Sequence, residues 1–348
     1  LALAILMATA HAGSATETKS YGGTTMVAAF ATFALGAMSV LGYMAPAGAA
    51  AVVITILLGL KPILNTWVER LKPQEIHAAF KLLLISVVLL PVLPDRTIDP
   101  WNVLNPYEIW WMVVLIASIS FLGYFAIKIA GPRHGIGLTG VFGGLASSTA
   151  LTLHFSRLAR QNHGLHRLLA AGVVIAASTM FPRLLVIVGV IHLPLLKQLA
   201  LPFAVMSLIG YLGATWLWSG SRIQAAPGGP IFKNPVELTK AIQFGVVLAV
   251  IMVLAKLARL WLGDTGIFVL AGISGLGEVD AITLSLARMA KADLAADVAA
   301  RALVIVAVVN TILKGSMVAI ISGSTMSRLV NTVFILIAAV GIVWLILF

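Results

Sequence analysis

Two carboxylates, Glu278 and Asp280, stand two positions apart inside an otherwise apolar run, Gly266 to Ala290. An ionised carboxylate left in hydrocarbon costs at least a few kcal/mol, so these acids require a counter-charge, a proton or a wet cavity. On a regular helix, positions i and i+2 point about 200° apart. Either the helix unwinds between them, or the two acids have different partners. Lys314 and Arg183 are the natural counter-charges, and each has a polar neighbour four residues earlier on the same helical face, Asn310 and Thr179 respectively.

The run that holds the acids matches an earlier one without a gap. Gly135 to Ala159 reads GIGLTGVFGGLASSTALTLHFSRLA and Gly266 to Ala290 reads GIFVLAGISGLGEVDAITLSLARMA, an interval of 131 residues. Gly144/Gly275, Thr152/Thr283, Leu153/Leu284 and Arg157/Arg288 are among the identities, and the interval carries Thr179 onto Asn310 and Arg183 onto Lys314. Where the first copy has Ser147, Ser148 and Thr149, the second has Glu278, Val279 and Asp280. The expected site therefore lies between two units: Ser147, Ser148, Thr149, Thr152, Thr179 and Arg183 from one, Glu278, Asp280, Thr283, Asn310 and Lys314 from the other. Oxygen groups of this kind suit a hard cation, with a bound Mg2+ conceivable, or a proton relay. No dedicated cofactor is expected. A buried ion pair that only fixes helix register is the structural alternative.

The glycines of both runs admit close helix packing or an interrupted helix whose half-helix N-terminus exposes backbone N–H groups at membrane depth. Arg157 and Arg288 lie eight residues past Thr149 and Asp280, about 12 Å along a helix. They either reach lipid phosphates or act as a gate.

These residues need elements that span a bilayer. The chain is 60% hydrophobic and 10% charged over 348 residues, with a mean hydropathy of +1.05. Apolar runs of about 20 residues, without strand-like alternation, point to a polytopic all-α membrane bundle. The net charge of +11 lies largely in short loops, which favours anionic headgroups rather than nucleic acid as partner. Zero cysteines exclude disulfides and thiolate chemistry. Without a nucleotide loop or a nucleophile elbow, an enzyme is not expected.

In order, Leu1 to Ala12 reads as the tail of a span. Spans follow over 26–43 and 47–60, then a charged loop from Lys61 to Glu75 and a span over 76–93. The segment LPDRTIDPWNVLNPYEIWW suits the headgroup layer through its prolines and aromatics. The division is 1–65 N-terminal part, 66–107 connecting span and interfacial loop, 108–220 first unit, 221–237 Gly/Pro-rich linker and 238–348 second unit. Spans are expected over 108–130, 136–158, 167–191, 199–218, 238–262, 266–290, 298–321 and 329–348, about eleven in all. Four spans per unit would give both units one orientation; a re-entrant segment in each would invert one relative to the other.

YGGTTMVAAFATFALGAMSVLGY resembles the start of MgtC/SapB family membrane proteins. VLLPVLPDRTIDPWNVLNP, GGLASSTALTLHFSRLAR and SGLGEVDAITLSLARMA look like the large members of that family, which append an uncharacterised multi-span domain. The resemblance implies an MgtC-like part over residues 1–65, a bacterial inner membrane, and either transport or regulation of a complex such as the ATP synthase. Movement of a small ion, a cation or proton, is the leading expectation, with a homo-oligomer as a further one. The first alternative is a non-transporting membrane regulator or sensor. Gly275 to Glu278 also resembles the Gly-x-Gly-Asp loop of intramembrane aspartyl proteases, but with Glu for Asp and without a Tyr-Asp partner.

Overall fold

The computed structural model describes residues 24–60, 73–101, 103–130, 135–219 and 238–348. The expected remnant Leu1 to Ala12, the segment 61–72 and the linker 221–237 lie outside them. The chain divides into compact units over residues 1–76 and 77–348. In the first, α1 (Thr24–Val40) and α2 (Met44–Gly59) pack together across a turn where Gly42 takes φ +92°, a left-handed conformation that glycine tolerates.

Helix α3 (Pro73–Leu83) carries the boundary between the units and starts three residues earlier than the sequence suggests, with Pro73 in the first turn, where its missing N–H is harmless. It continues through a π-helical turn, Leu84–Leu89, and a short 3-10 turn, Leu90–Val92. The widened π turn leaves the Ile85 carbonyl free to accept the Trp110 indole N–H at 2.8 Å. The loop that follows is organised by Asp99, whose carboxylate accepts N–H groups from Trp101, Val103 and Leu104 at 2.6 to 3.2 Å. Burial alone would raise the Asp99 pKa, but these backbone donors outweigh it and hold the group below its ordinary 3.8.

The remaining helices are α4 (Pro106–Ala130), α5 (Gly135–Gln161), α6 (His166–Ser178), α7 (Met180–Ile191), α8 (Leu193–Ser219), α9 (Leu238–Gly275), α10 (Val279–Ala292), α11 (Ala296–Ser322) and α12 (Ser324–Leu347). α6 and α7 form one 26-residue crossing. Pro182 cannot donate to the Ser178 carbonyl one turn back, and the Ser207 hydroxyl of α8 donates to it instead, at 3.3 Å.

Eight helical stretches among the described residues are long and apolar enough to cross a membrane, making this a multi-pass, all-helical membrane protein. Two of the expected spans nevertheless do not cross. Helix α5 breaks at Ser147, whose φ of −168° and ψ of 100° are extended, and its halves fold back on one another. A methyl group added at Gly172 would come within 2.4 Å of Ile136 and 2.5 Å of Phe155. A straight helix would hold those two residues about 28 Å apart. The first half runs parallel to α6, with Gly140 against Ile175 and Gly144 against Thr179, while the second returns antiparallel, with His166 bonded to the Ala159 carbonyl at 3.0 Å.

The second unit does the same. Helix α9 turns at Gly263 (φ +61°), so its first part ends there and 264–275 begins a hairpin that α10 completes. Asp293, just past α10, pairs with Arg259 at 2.8 Å and Lys256 at 3.5 Å, which places the exit of the hairpin beside its entrance. The expected spans 136–158 and 266–290 are therefore helical hairpins with their tips at Ser147 and Glu278. Each expected four-span unit has three crossings and one hairpin. Length and hydropathy could not separate the two, because an apolar run of 26 residues either crosses or folds in half.

Helix ends recur at the 131-residue interval: Gln161 and Ala292, Ile191 and Ser322, Leu193 and Ser324. Packing recurs in exchanged form, with α5 on α11 and α10 on α7, and with α8 on α11 and α12 on α6. α8 and α12 run antiparallel, since methyl groups at Gly213, Gly210 and Gly341 would meet Val333, Ile337 and Met206 in turn. Arg288 bonds to the Val103 carbonyl and the Glu108 carboxylate, so the second hairpin enters from the face where α4 begins. The first enters from the face where α4 ends. The two hairpins thus enter from opposed faces, and α8 and α12 run antiparallel.

Candidate functional site

The hairpin tips converge inside the bundle. An open cavity of about 900 Å3, with Ile242, Val246 and Val247 of its wall exposed, lies between α4 and the start of α9, and both Ser147 and Glu278 line it. Val113, Ile116, Ala117, Ser120 and Tyr124 form one wall, and Lys240 to Phe244, with Val246 and Val247, form the other. Along α4 these residues run toward the face where that helix ends, and along α9 toward the face where it begins, which is the same face.

The two tips treat their backbone differently. At the first, the Ser147 hydroxyl accepts the Ala150 N–H at 3.3 Å and caps the returning half-helix. At the second, Glu278 occupies the N-cap position of α10 without a side-chain cap. Its carboxylate is exposed to the cavity and makes no hydrogen bond or ion pair among the described residues. The substitution of Glu for Ser thus places an acid at a half-helix N-terminus and leaves it available.

Behind the tips, the cations of each unit reach across to the other unit's hairpin. Arg183 on α7 donates to Asp280 at 2.5 Å and to the Leu145 carbonyl at 2.8 Å. Lys314 on α11, 1% exposed, donates to the Ser148 hydroxyl at 2.8 Å and approaches the Met180 sulfur at 3.5 Å. Asn310 donates to the Gly275 carbonyl at 3.0 Å, just ahead of the second tip. Arg183 Nε and Asn310 Oδ1 are buried without a hydrogen-bond partner among the described residues. Glu278 and Asp280 thus have different surroundings, one in the cavity and one on Arg183, as a backbone opened between Gly275 and Val279 allows.

The family comparison matches residues 114–322, from within α4 to the end of α11, to the model described as Domain of unknown function (DUF4010). This chain belongs to the DUF4010 family. An uncharacterised protein of Aquifex aeolicus (strain VF5) is 33% identical over 189 residues, covering 54% of this chain and 82% of that one. No solved structure matches the chain. The DUF4010 match encloses both hairpins and starts beyond the N-terminal stretch that resembles MgtC/SapB.

Within this DUF4010 bundle the remaining candidates separate. Thr152 and Thr283 are fully buried and donate to the Ser148 and Val279 carbonyls four residues back, each at 2.8 Å, so their hydroxyls serve their own helices. Thr179 donates to the Ile175 carbonyl and shares a 2.9 Å bond with Tyr211 of α8. Thr149 and Arg157 are exposed, while Arg288 is tied to Glu108. Ser120, Tyr124, Lys240 and Gln243 line the cavity without having been singled out in the sequence; a polar residue inside an apolar span was the available signal. Among the described residues no three His, Asp or Glu side chains converge as a metal cage. A Mg2+ ion at Glu278 would therefore keep most of its water.

Proposed function

We propose that this DUF4010 protein moves a small ion, a proton or monovalent cation, across a bacterial inner membrane through the cavity at the hairpin tips. The observation that carries the reading is Glu278, an acid without a hydrogen-bond partner among the described residues, at the N-terminus of a half-helix and lining an open cavity of about 900 Å3. A regulator that only docks on another complex needs no such cavity.

Inverted units arising by duplication supply the means of alternation. Val113 and Ile116 line the cavity, and so do their counterparts Phe244 and Val247. Ala117, Ser120 and Tyr124 line it too, whereas their counterparts Leu248, Ile251 and Ala255 are buried toward the other face. The described state is thus open along one route and packed along the equivalent one. Exchange of the two conformations would open the second route and close the first. The MgtC/SapB resemblance supports the bacterial inner membrane, and exposed Arg157 suits its anionic headgroups.

The test is reconstitution in liposomes with proton, Na+, K+ and Mg2+ gradients. Flux of at least one ion is expected, falling about ten-fold or more in Glu278→Gln while the protein stays monodisperse. Flux unchanged in that variant would overturn the reading.

A further inference from the structure

The transport reading leaves one buried charged group without a role. Lys314 and Arg183 occupy equivalent positions in the two units, yet their surroundings differ. Arg183 holds a carboxylate, Asp280, at 2.5 Å; Lys314 has no carboxylate within 4.0 Å among the described residues. Its polar contacts are the Ser148 hydroxyl and the Met180 sulfur. The charged groups that bear on it are Asp280 on α10 and Arg183 on α7, and Glu278 lies at the turn before Asp280. Among the described residues, Asn310, one helical turn from Lys314 on the same face, leaves its Oδ1 unpartnered, and Arg183 leaves its Nε so. These two atoms are buried polar groups left unsatisfied on the helices that hold the hairpin tips.

We propose that Lys314 is a second ion site, one that binds and releases the coupling proton, and that its charge state sets the position of the first hairpin tip. The proposal rests on the transport reading for its purpose, but its chemistry stands on the geometry. An arginine keeps its proton in any protein environment, whereas a lysine can give one up when removed from water. Of two equivalent cations, the unit that pairs its cation with an acid uses the fixed charge, and the other uses the switchable one.

Charged, Lys314 donates to Ser148 and holds the first turn of the returning half-helix. On release, the proton passes to water in the cavity beyond Ser147, the residue next to Ser148. The neutral amine can then accept from the Ser148 hydroxyl, so the bond reverses and the ionic hold on the tip is lost. The pull of Asp280 on a cation at this depth remains, opposed by Arg183, and favours rebinding of a proton once the other face is open.

The chain has no cysteine, so single cysteines report accessibility without background. Ser147→Cys at the tip and Val247→Cys on the cavity wall are labelled with a water-soluble maleimide, and the ratio of their rates is followed from mildly acidic to mildly alkaline buffer. Each rate is divided by the thiolate fraction of that cysteine, which removes the thiol's own titration. The ratio is expected to change about three-fold or more across the range with Lys314 present, and to be flat in Lys314→Arg. Lys314→Gln, also expected flat, serves if the arginine is too large. The response should persist in Glu278→Gln. A flat ratio with Lys314 present, an unchanged response in either lysine variant, or loss of the response in Glu278→Gln would overturn the proposal. None of these readouts requires flux, so a failure of the transport reading is seen separately.

Discussion

Arg183 and Asp280, 97 residues apart in the chain, join the crossing α7 of one unit to the hairpin of the other at 2.5 Å. Each alone is a charge in a membrane interior; together with the Leu145 carbonyl they satisfy one another except at Arg183 Nε, which has no partner among the described residues. Removing one partner leaves the other charge buried, which typically costs about 3 kcal/mol or more, whereas removing both can be nearly neutral. Asp280→Leu and Arg183→Met should each lower thermal stability in detergent clearly, and the double variant should recover most of the loss. Equal losses that simply add would show that the pair carries no coupling.

Arg288 and Glu108 form an ion pair at the face where α4 begins, while the counterpart of Arg288, Arg157, is exposed at the face where α4 ends. Glu108 is 45% exposed, so the pair contributes about 1 kcal/mol or less. Its loss should shift the population of the opposite state by at most about five-fold. In Glu108→Gln, labelling of Met252→Cys from the Glu108 face should rise by up to that factor. No rise would remove the pair as a gate.

Gly172 lies where both halves of the first hairpin meet α6. An added methyl would clash with Ile136 and Phe155, and overpacking of this kind costs about 1–3 kcal/mol. Gly172→Ala should lower the thermal midpoint and increase proteolysis of the hairpin, while the equally conservative Gly164→Ala, in open space, should do neither.

Asp99 gives a pH signature outside the membrane. Its folded-state pKa lies below the ordinary 3.8, so its contribution is fully present above that value and is lost as pH falls through the lower folded value. Trp101 fluorescence should report loosening of this loop only in strongly acid buffer. In Asp99→Asn the acid transition should vanish, with the loop already looser at neutral pH.

Much of this arrangement was legible in the residues. The matched runs located both tips, because a Ser-Ser-Thr set aligned with Glu-Val-Asp marks the one place where two apolar segments diverge in charge. Arg183 and Lys314 stood out as cations at depth. At Ser147 the residues left a packed crossing, an interrupted helix and a re-entrant segment open, because hydropathy measures what a segment can contact and not whether it turns. Thr152 and Thr283 shared the spacing of the site, yet a threonine inside a helix readily bonds its own carbonyl four residues back, and both do. The cavity walls escaped because Ser120, Tyr124, Lys240 and Gln243 come from helices that the repeat motif does not include.

The break at Ser147 also bears on how the protein is made. Every segment after a hairpin takes its direction from the fact that the hairpin did not cross. Were residues 135–161 to insert as one straight helix of 27 residues, α6 through α12 would all be laid down upside down. The break at Ser147 that lets this segment fold in half thus decides the orientation of the chain beyond it during insertion.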